Sequence, residues 1–209
     1  MGNRWHAGRH AADKGCIPRA EWNRTQVFRF ISNKLFFAGK TAASGKELWV
    51  SDGTADGTML FKDLNPSINP SLPQTYIEYK NKLYFSARNE AGVELCVSDG
   101  TVNGTELFLE INSGTQNNGD SECREFFIYN NTLFFSAFAQ DTWRELWSCD
   151  GTLAGTKLFI DFNTANQSQG SGNPTSFINF NGKLFFIANN STINFSTIRE
   201  SDGTVAGYR

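Results

Sequence analysis

The sequence predicts an all-β protein, a β-propeller-like array of four-stranded antiparallel blades, three complete and a fourth truncated. Three observations carry this. Asp-Gly-Thr triplets begin at Asp52, Asp99, Asp150 and Asp202, in steps of 47, 51 and 52 residues, and self-similarity at such a period marks propellers, solenoids and arrays. Each period also holds two short apolar runs either side of a two-residue turn, the signature of a tight hairpin. Finally, Leu35-Phe36-Phe37, Leu133-Phe134-Phe135 and Leu184-Phe185-Phe186 are apolar at consecutive positions. Neighbouring strand residues point to opposite faces, so both faces of these strands are buried, as in a sheet lying between two others.

Residues 1–24 stand outside the repeat. They carry Arg4, Arg9, Lys14 and Arg19 without an apolar segment, so they do not form a secretory signal peptide. A disordered lead-in or a mis-assigned start is expected, with the chain a fragment of a larger propeller. The repeat domain is expected over 25–209, with blades at about 25–64, 73–111, 124–162 and 175–209.

Within each blade the first two strands, A and B, flank Ser32-Asn33, Lys80-Asn81, Asn130-Asn131 or Asn181-Gly182. Asn and Gly tolerate positive φ, which a type I′ turn needs at both central positions. A variable connection follows at 39–46, 88–93, 138–144 and 189–196. Strand C then starts at Glu47, Glu94 and Glu145 and ends at the Asp of Asp-Gly-Thr. Strand D begins at Thr58, Thr105 and Thr156, and the fourth copy lacks it. A parallel β-helix has shorter repeats without a tight Asn-Gly hairpin, and no 3.6-residue periodicity supports helices.

Composition agrees. Nineteen Phe against two Met favour strands. A net charge of −2 without a basic face argues against nucleic acid, and no apolar run approaches the roughly 18 residues that cross a bilayer. Cys16, Cys96, Cys123 and Cys149 form no C-x-x-C pair, so no zinc site is expected. Cys96 and Cys149 read as ordinary strand residues. The only histidines, His6 and His10, lie in the leader, which removes Ser-His-Asp, Cys-His and His-based metal chemistry from the repeats. Paired carboxylates such as Asp120 and Glu122 are what a propeller enzyme would have to use here. The N-x-[ST] sequons carry no weight in an Asn- and Thr-rich β protein.

Each Asp-Gly-Thr element (Asp52-Gly53-Thr54, Asp99-Gly100-Thr101, Asp150-Gly151-Thr152, Asp202-Gly203-Thr204) reads as a turn pinned by its own side chains. The Asp accepts from backbone N–H two residues on, Gly supplies positive φ, and Thr adds a second hydrogen bond. Calcium is the competing reading, although one reliable Asp per loop falls short of the 6–8 oxygens that Ca²⁺ takes. No metal or cofactor is expected.

The pattern Glu-Leu-Trp-x-x-Asp-Gly-Thr-x-x-Gly-Thr, complete at Glu47–Thr58 and Glu145–Thr156, resembles the ELWxxDGT repeat family of bacterial secreted and surface proteins. The resemblance covers 25–209. It implies a propeller-like domain located extracellularly or at the cell surface, and it brings no catalytic residue. The chain departs from the pattern at Cys96 for Trp, at Thr197-Ile198-Arg199 for Glu-Leu-Trp, and at Tyr208 for Thr.

Function is expected at the end of the array bearing the D–A and B–C connections, which vary between copies, since binding residues gather on loops held by a rigid scaffold. Solvated linker competes with that reading. The expectation is a non-catalytic module for adhesion or for glycan or protein recognition, not an enzyme. Its alternative is a structural spacer or accessory propeller of a larger secreted enzyme. Candidate ligand-binding residues are Asn118, Asp120, Glu122, Trp143 and Arg144. Trp143 is read as a partly exposed loop residue, whereas Trp49 and Trp147 pack between blades. Partners are an unknown protein or glycan, and the remaining blades of a longer chain or a second copy, without nucleic acid or membrane insertion.

Overall fold

The computed structural model describes residues 29–31, 33–41, 44–66, 69–162, 170–190 and 195–209. The leader and residues 25–28 lie outside the described residues, as does Ser32 of the first turn. The fold is all-β, in four antiparallel sheets whose strands pair in chain order. The first sheet holds β1 (Arg29–Ile31), β2 (Lys34–Thr41), β3 (Gly45–Ser51) and β4 (Met59–Lys62). The second holds β5 (Gln74–Tyr79), β6 (Lys82–Asn89), β7 (Gly92–Ser98) and β8 (Thr105–Leu109). The third holds β9 (Arg124–Tyr129), β10 (Thr132–Ala139), β11 (Trp143–Cys149) and β12 (Lys157–Ile160). The fourth has three strands, β13 (Thr175–Phe180), β14 (Lys183–Asn190) and β15 (Phe195–Ser201).

The first strands of successive sheets, β1, β5, β9 and β13, lie side by side, so the sheets stack as blades. The A–B turns follow from their Asn residues: φ is +51° and +58° at Lys80 and Asn81, +45° and +55° at Asn130 and Asn131, and +51° and +71° at Asn181 and Gly182. A recurrent bulge, which the sequence does not announce, places Thr75, Glu125 and Ser176 at φ of +52°, +60° and +58°. It shifts the A–B register in the same place in three blades.

Strand C is longer than expected. It begins two residues before the Glu, at Gly45, Gly92 and Trp143, and pairs outward through Lys40↔Lys46, Arg88↔Val93 and Phe138↔Arg144. Backbone pairing asks nothing of side-chain polarity, so the ladder runs past the apolar pattern that marked its start.

The core is divided among the blade junctions. Phe36, Leu48 and Val50 of blade 1 meet Tyr76, Leu83, Phe85 and Cys96 of blade 2. Tyr84, Leu95 and Val97 of blade 2 meet Leu133, Phe135, Cys149 and Trp147 of blade 3. Phe134, Leu146 and Phe159 of blade 3 meet Leu184, Phe186 and Phe177 of blade 4. Trp147 thus packs between blades, whereas Trp49 is buried against Phe37 on the other side of blade 1.

Candidate functional site

At one end of the array each Asp-Gly-Thr turn closes identically. Asp52 Oδ1 accepts from Thr54 N–H at 2.9 Å and from Thr54 Oγ1 at 2.7 Å, and Thr54 Oγ1 accepts in turn from Gly57 N–H at 2.9 Å. Asp99, Asp150 and Asp202 repeat the first two bonds with Thr101, Thr152 and Thr204. These bonds hold all four carboxyl groups below the ordinary carboxylate range. Gly53, Gly100, Gly151 and Gly203 take φ between +89° and +95°. A Cβ at Gly57, Gly104, Gly155 or Gly207 would overlap the Asp carboxyl itself. The turn is therefore a closed unit built from its own side chains. Among the described residues no group of three His, Cys, Asp or Glu side chains is placed to hold a metal ion.

At the other end, each D–A connection is tied down by the glutamate of strand C, a role that sequence reasoning missed. Glu94 is fully buried and accepts from Ile111 N–H at 2.8 Å and Ser121 N–H at 3.1 Å, the two ends of its connection. Glu145 does the same with Phe162 N–H at 3.2 Å and Gly172 N–H at 2.9 Å. Glu47 accepts from Ser71 N–H at 2.8 Å and from the Ser71 hydroxyl. The tie then crosses to the next blade. The carbonyls of Ser71, Ser121 and Gly172 accept from Arg88, Phe138 and Asn189 N–H at 2.7, 2.8 and 2.6 Å. Burial pushes the Glu47 carboxyl up and raises that of Glu94 to about 7. The signal was available in Glu-Leu-Trp, which sets an acid inside an apolar strand. A fully buried carboxylate needs N–H donors.

The five candidate ligand-binding residues do not form one exposed site. Asp120 is buried, paired with Arg88 at 2.7 Å and accepting from Val93 N–H at 2.9 Å. Arg144 is buried too, paired with Glu122 at 2.9 Å and donating to the Glu122 carbonyl at 3.0 Å. Burial lowers its pKa to about 10. Asp120 and Glu122 each face an arginine, so they do not make a pair of opposed carboxyls for acid–base chemistry. Trp143 is not a loop residue; it is the first residue of β11, half-buried and edge-on to Phe138 at 5.6 Å. With Gln116, Asn117 and Phe138 it lines an open cavity of about 380 Å³. Asn118 is exposed in the adjoining 3-10 turn Gln116–Gly119, at φ +57°. The expected rim of free binding groups is thus largely a set of braces between blades, because ordering long connections consumes the charged groups they carry.

No family model matches the chain, and no curated protein matches it. Among solved structures it is similar to an alpha-L-arabinofuranosidase from Clostridium thermocellum, at 15% identity over 85% of this chain and 69% of that one, with a TM-score of 0.37. It is similar to an endo-1,4-beta-xylanase from Bacteroides thetaiotaomicron at 17% identity, over 88% and 70%, with a TM-score of 0.34. A thermostable family-43 glycoside hydrolase matches at 14% identity, over 87% and 69%, with a TM-score of 0.37. Against the expectation of a non-catalytic module for adhesion or recognition, the solved structures to which the chain is similar are glycoside hydrolases. Of the candidate binding residues, Asp120 and Arg144 are buried, Glu122 and Trp143 are half-buried, and Asn118 is exposed. No helix of the described residues is long and apolar enough to cross a membrane.

Proposed function

We propose that the chain is a ring-building segment of a larger β-propeller, and that a further blade of the same repeat packs on its fourth. One observation carries the reading. Ile31, Tyr79 and Tyr129, then Phe36, Tyr84 and Phe134, then Leu48, Leu95 and Leu146 are equivalent residues that the first three blades turn toward the next blade. Blade 4 carries Phe180, Phe185 and Ile198 at those positions, flanked by Ile178 and Ile187 on the same face. Phe180 is 59% and Ile198 74% exposed, and the five side chains line a shallow, almost wholly apolar hollow of about 480 Å³. A face that repeats an established interface position by position fits another blade that offers Leu and Phe on strand B, as blades 2 to 4 do with Leu83 and Phe85, Leu133 and Phe135, and Leu184 and Phe186. The resemblance to the ELWxxDGT repeats supports this assembly and, with it, a location outside the cell.

The test is an extended chain in which residues 107–162 are repeated after Arg209. This continues the register of β8, since Glu200 pairs with Arg209 as Val97 pairs with Glu106. The extension is expected to shield position 198, read as loss of thiol-reagent labelling of an Ile198→Cys variant, and to raise the melting temperature. Labelling at position 198 equal to that of the 209-residue chain would overturn the proposal.

A further inference from the structure

We propose that the cavity walled by Trp143 binds an uncharged aromatic ring that carries hydrogen-bonding groups on its edge. The site lies between the second and third blades and does not depend on a further blade packing on the fourth.

The backbone of Trp143 marks the place. β3, β7 and β11 open at Gly45, Gly92 and Trp143, which pair with Thr41, Asn89 and Ala139. All three take positive φ, at +71°, +130° and +63°. Glycine enters that region freely, whereas a bulky residue there is an outlier that its surroundings must hold in place. Glycine is also what the first two blades have room for: a Cβ at Gly45 would stand 3.0 Å from Pro70, and one at Gly92 2.4 Å from the Gly119 carbonyl oxygen. Blade 3 puts an indole where its neighbours have no side chain, and that indole lines the cavity with Gln116, Asn117 and Phe138. Asn117 and the adjoining Asn118 are left-handed too, at φ +52° and +57°. Backbone held in such conformations gathers at ligand clamps.

The two sides of the cavity are fixed to each other. One is the 3-10 turn Gln116–Gly119 and the other the hairpin joining β10 to β11, and Thr115 N–H donates to Gln140 Oε1 at 2.8 Å between them. Asn117 Nδ2 donates to the Asp120 carbonyl at 2.7 Å, which orients its carboxamide. At about 380 Å³ the cavity is near the bottom of the roughly 300–1,000 Å³ that ligand pockets span, so it suits a small molecule.

The walls select the ligand. Phe138 and Trp143 lie with ring centroids 5.6 Å apart and planes at 71°. A flat ring stacked on the indole therefore stands edge-on to Phe138, so it meets the two rings in the two arrangements that aromatic pairs prefer. Gln116 and Asn117, both exposed, offer amide donors and acceptors to groups on the edge of that ring. Among the described residues that line the cavity none is charged, and Arg144, next to Trp143 in the chain, is spent on Glu122 at 2.9 Å. A charged ligand would lose water there without gaining a partner.

The probe is benzamide, titrated into the chain at millimolar concentration and followed by backbone amide NMR shifts. Saturable shifts at residues 115–119 and 138–143 are expected, with binding weakened about tenfold or more in Trp143→Gly, which lacks the stacking surface. Glycine is the residue of blades 1 and 2 at this position, so the variant keeps the hairpin, as unchanged shifts along the rest of β10 and β11 would verify. Binding as tight in that variant as in wild type would remove Trp143 from the site. Gln116→Ala changes only an exposed side chain and is expected to weaken binding severalfold; equal affinity would refute the edge contacts. Cyclohexanecarboxamide, the same amide on a saturated ring, binding as well as benzamide would overturn the aromatic requirement, and methyl glucoside binding more tightly would replace it with a sugar. No saturable shift with any of the three compounds would overturn the site itself.

Discussion

Glu94→Gln tests whether a buried carboxylate governs the stability of a blade junction. Burial deprives the Glu94 carboxyl of water, and the N–H bonds from Ile111 and Ser121 offset only part of the loss, leaving its pKa at about 7 against an ordinary 4.5. A carboxyl with a raised folded-state pKa holds its proton in the native state after the unfolded chain has lost it. Stability therefore falls as pH rises from 4.5 to about 7 and is level above. At about 1.4 kcal/mol per pH unit this single group removes on the order of 3 kcal/mol across the window. Glu47, also raised, contributes a decline of the same sign to both proteins. Urea unfolding at pH 5, 6, 7 and 8 gives the free energy of each. The difference between wild type and variant is expected to change by roughly 2–3 kcal/mol between pH 5 and pH 8, with the variant gaining at the alkaline end. Parallel curves would refute the reasoning, whatever the variant's absolute stability, because the slope alone reports the titration.

The aspartates act in another window with the opposite sign. Hydrogen bonds from Thr152 lower the Asp150 carboxyl below 3.8, so its contribution is present above that pH and lost in more acid solution. Asp150→Asn should lower the melting temperature at pH 6 and converge on wild type near the acid limit; a constant difference would contradict this. Gly104→Ala drives a methyl into the Asp99 carboxyl and is expected to cost about 1–3 kcal/mol. Gly53→Ala meets nothing within 4 Å and bears only the strain of φ +93°, about 1 kcal/mol; equal losses in thermal melts would remove the distinction. Millimolar calcium is expected to leave the melting temperature unchanged, since Asp52 Oδ1 is engaged by Thr54. A rise of several degrees would make the turns metal sites.

The hairpins and Asp-Gly-Thr turns were legible because their chemistry is local. Asn at the A–B turns and Asp, Gly and Thr in the C–D turns each answer a backbone demand within a few residues. The both-faces-apolar strands, such as Leu133-Phe134-Phe135, also revealed the stacking, since period-2 geometry leaves no other place for them. What stayed hidden depends on contacts distant in sequence. Arg144 looked like a loop cation, and only the fold brings Glu122 and the Ser121 and Glu122 carbonyls around it. Glu94 and Ser121 are separated by a whole connection, so their pairing leaves no periodic trace. The bulge at Thr75, Glu125 and Ser176 has no common residue to announce it.

Because each core cluster is shared by two adjacent blades, the array has no single centre to melt. Its cohesion is a chain of nearest-neighbour couplings, as in a one-dimensional lattice. Loss of order should enter where a link has one neighbour rather than two and travel inward as a front. In hydrogen exchange such a front would appear as a gradient, with the amides of β6, β7, β10 and β11 the last to give way.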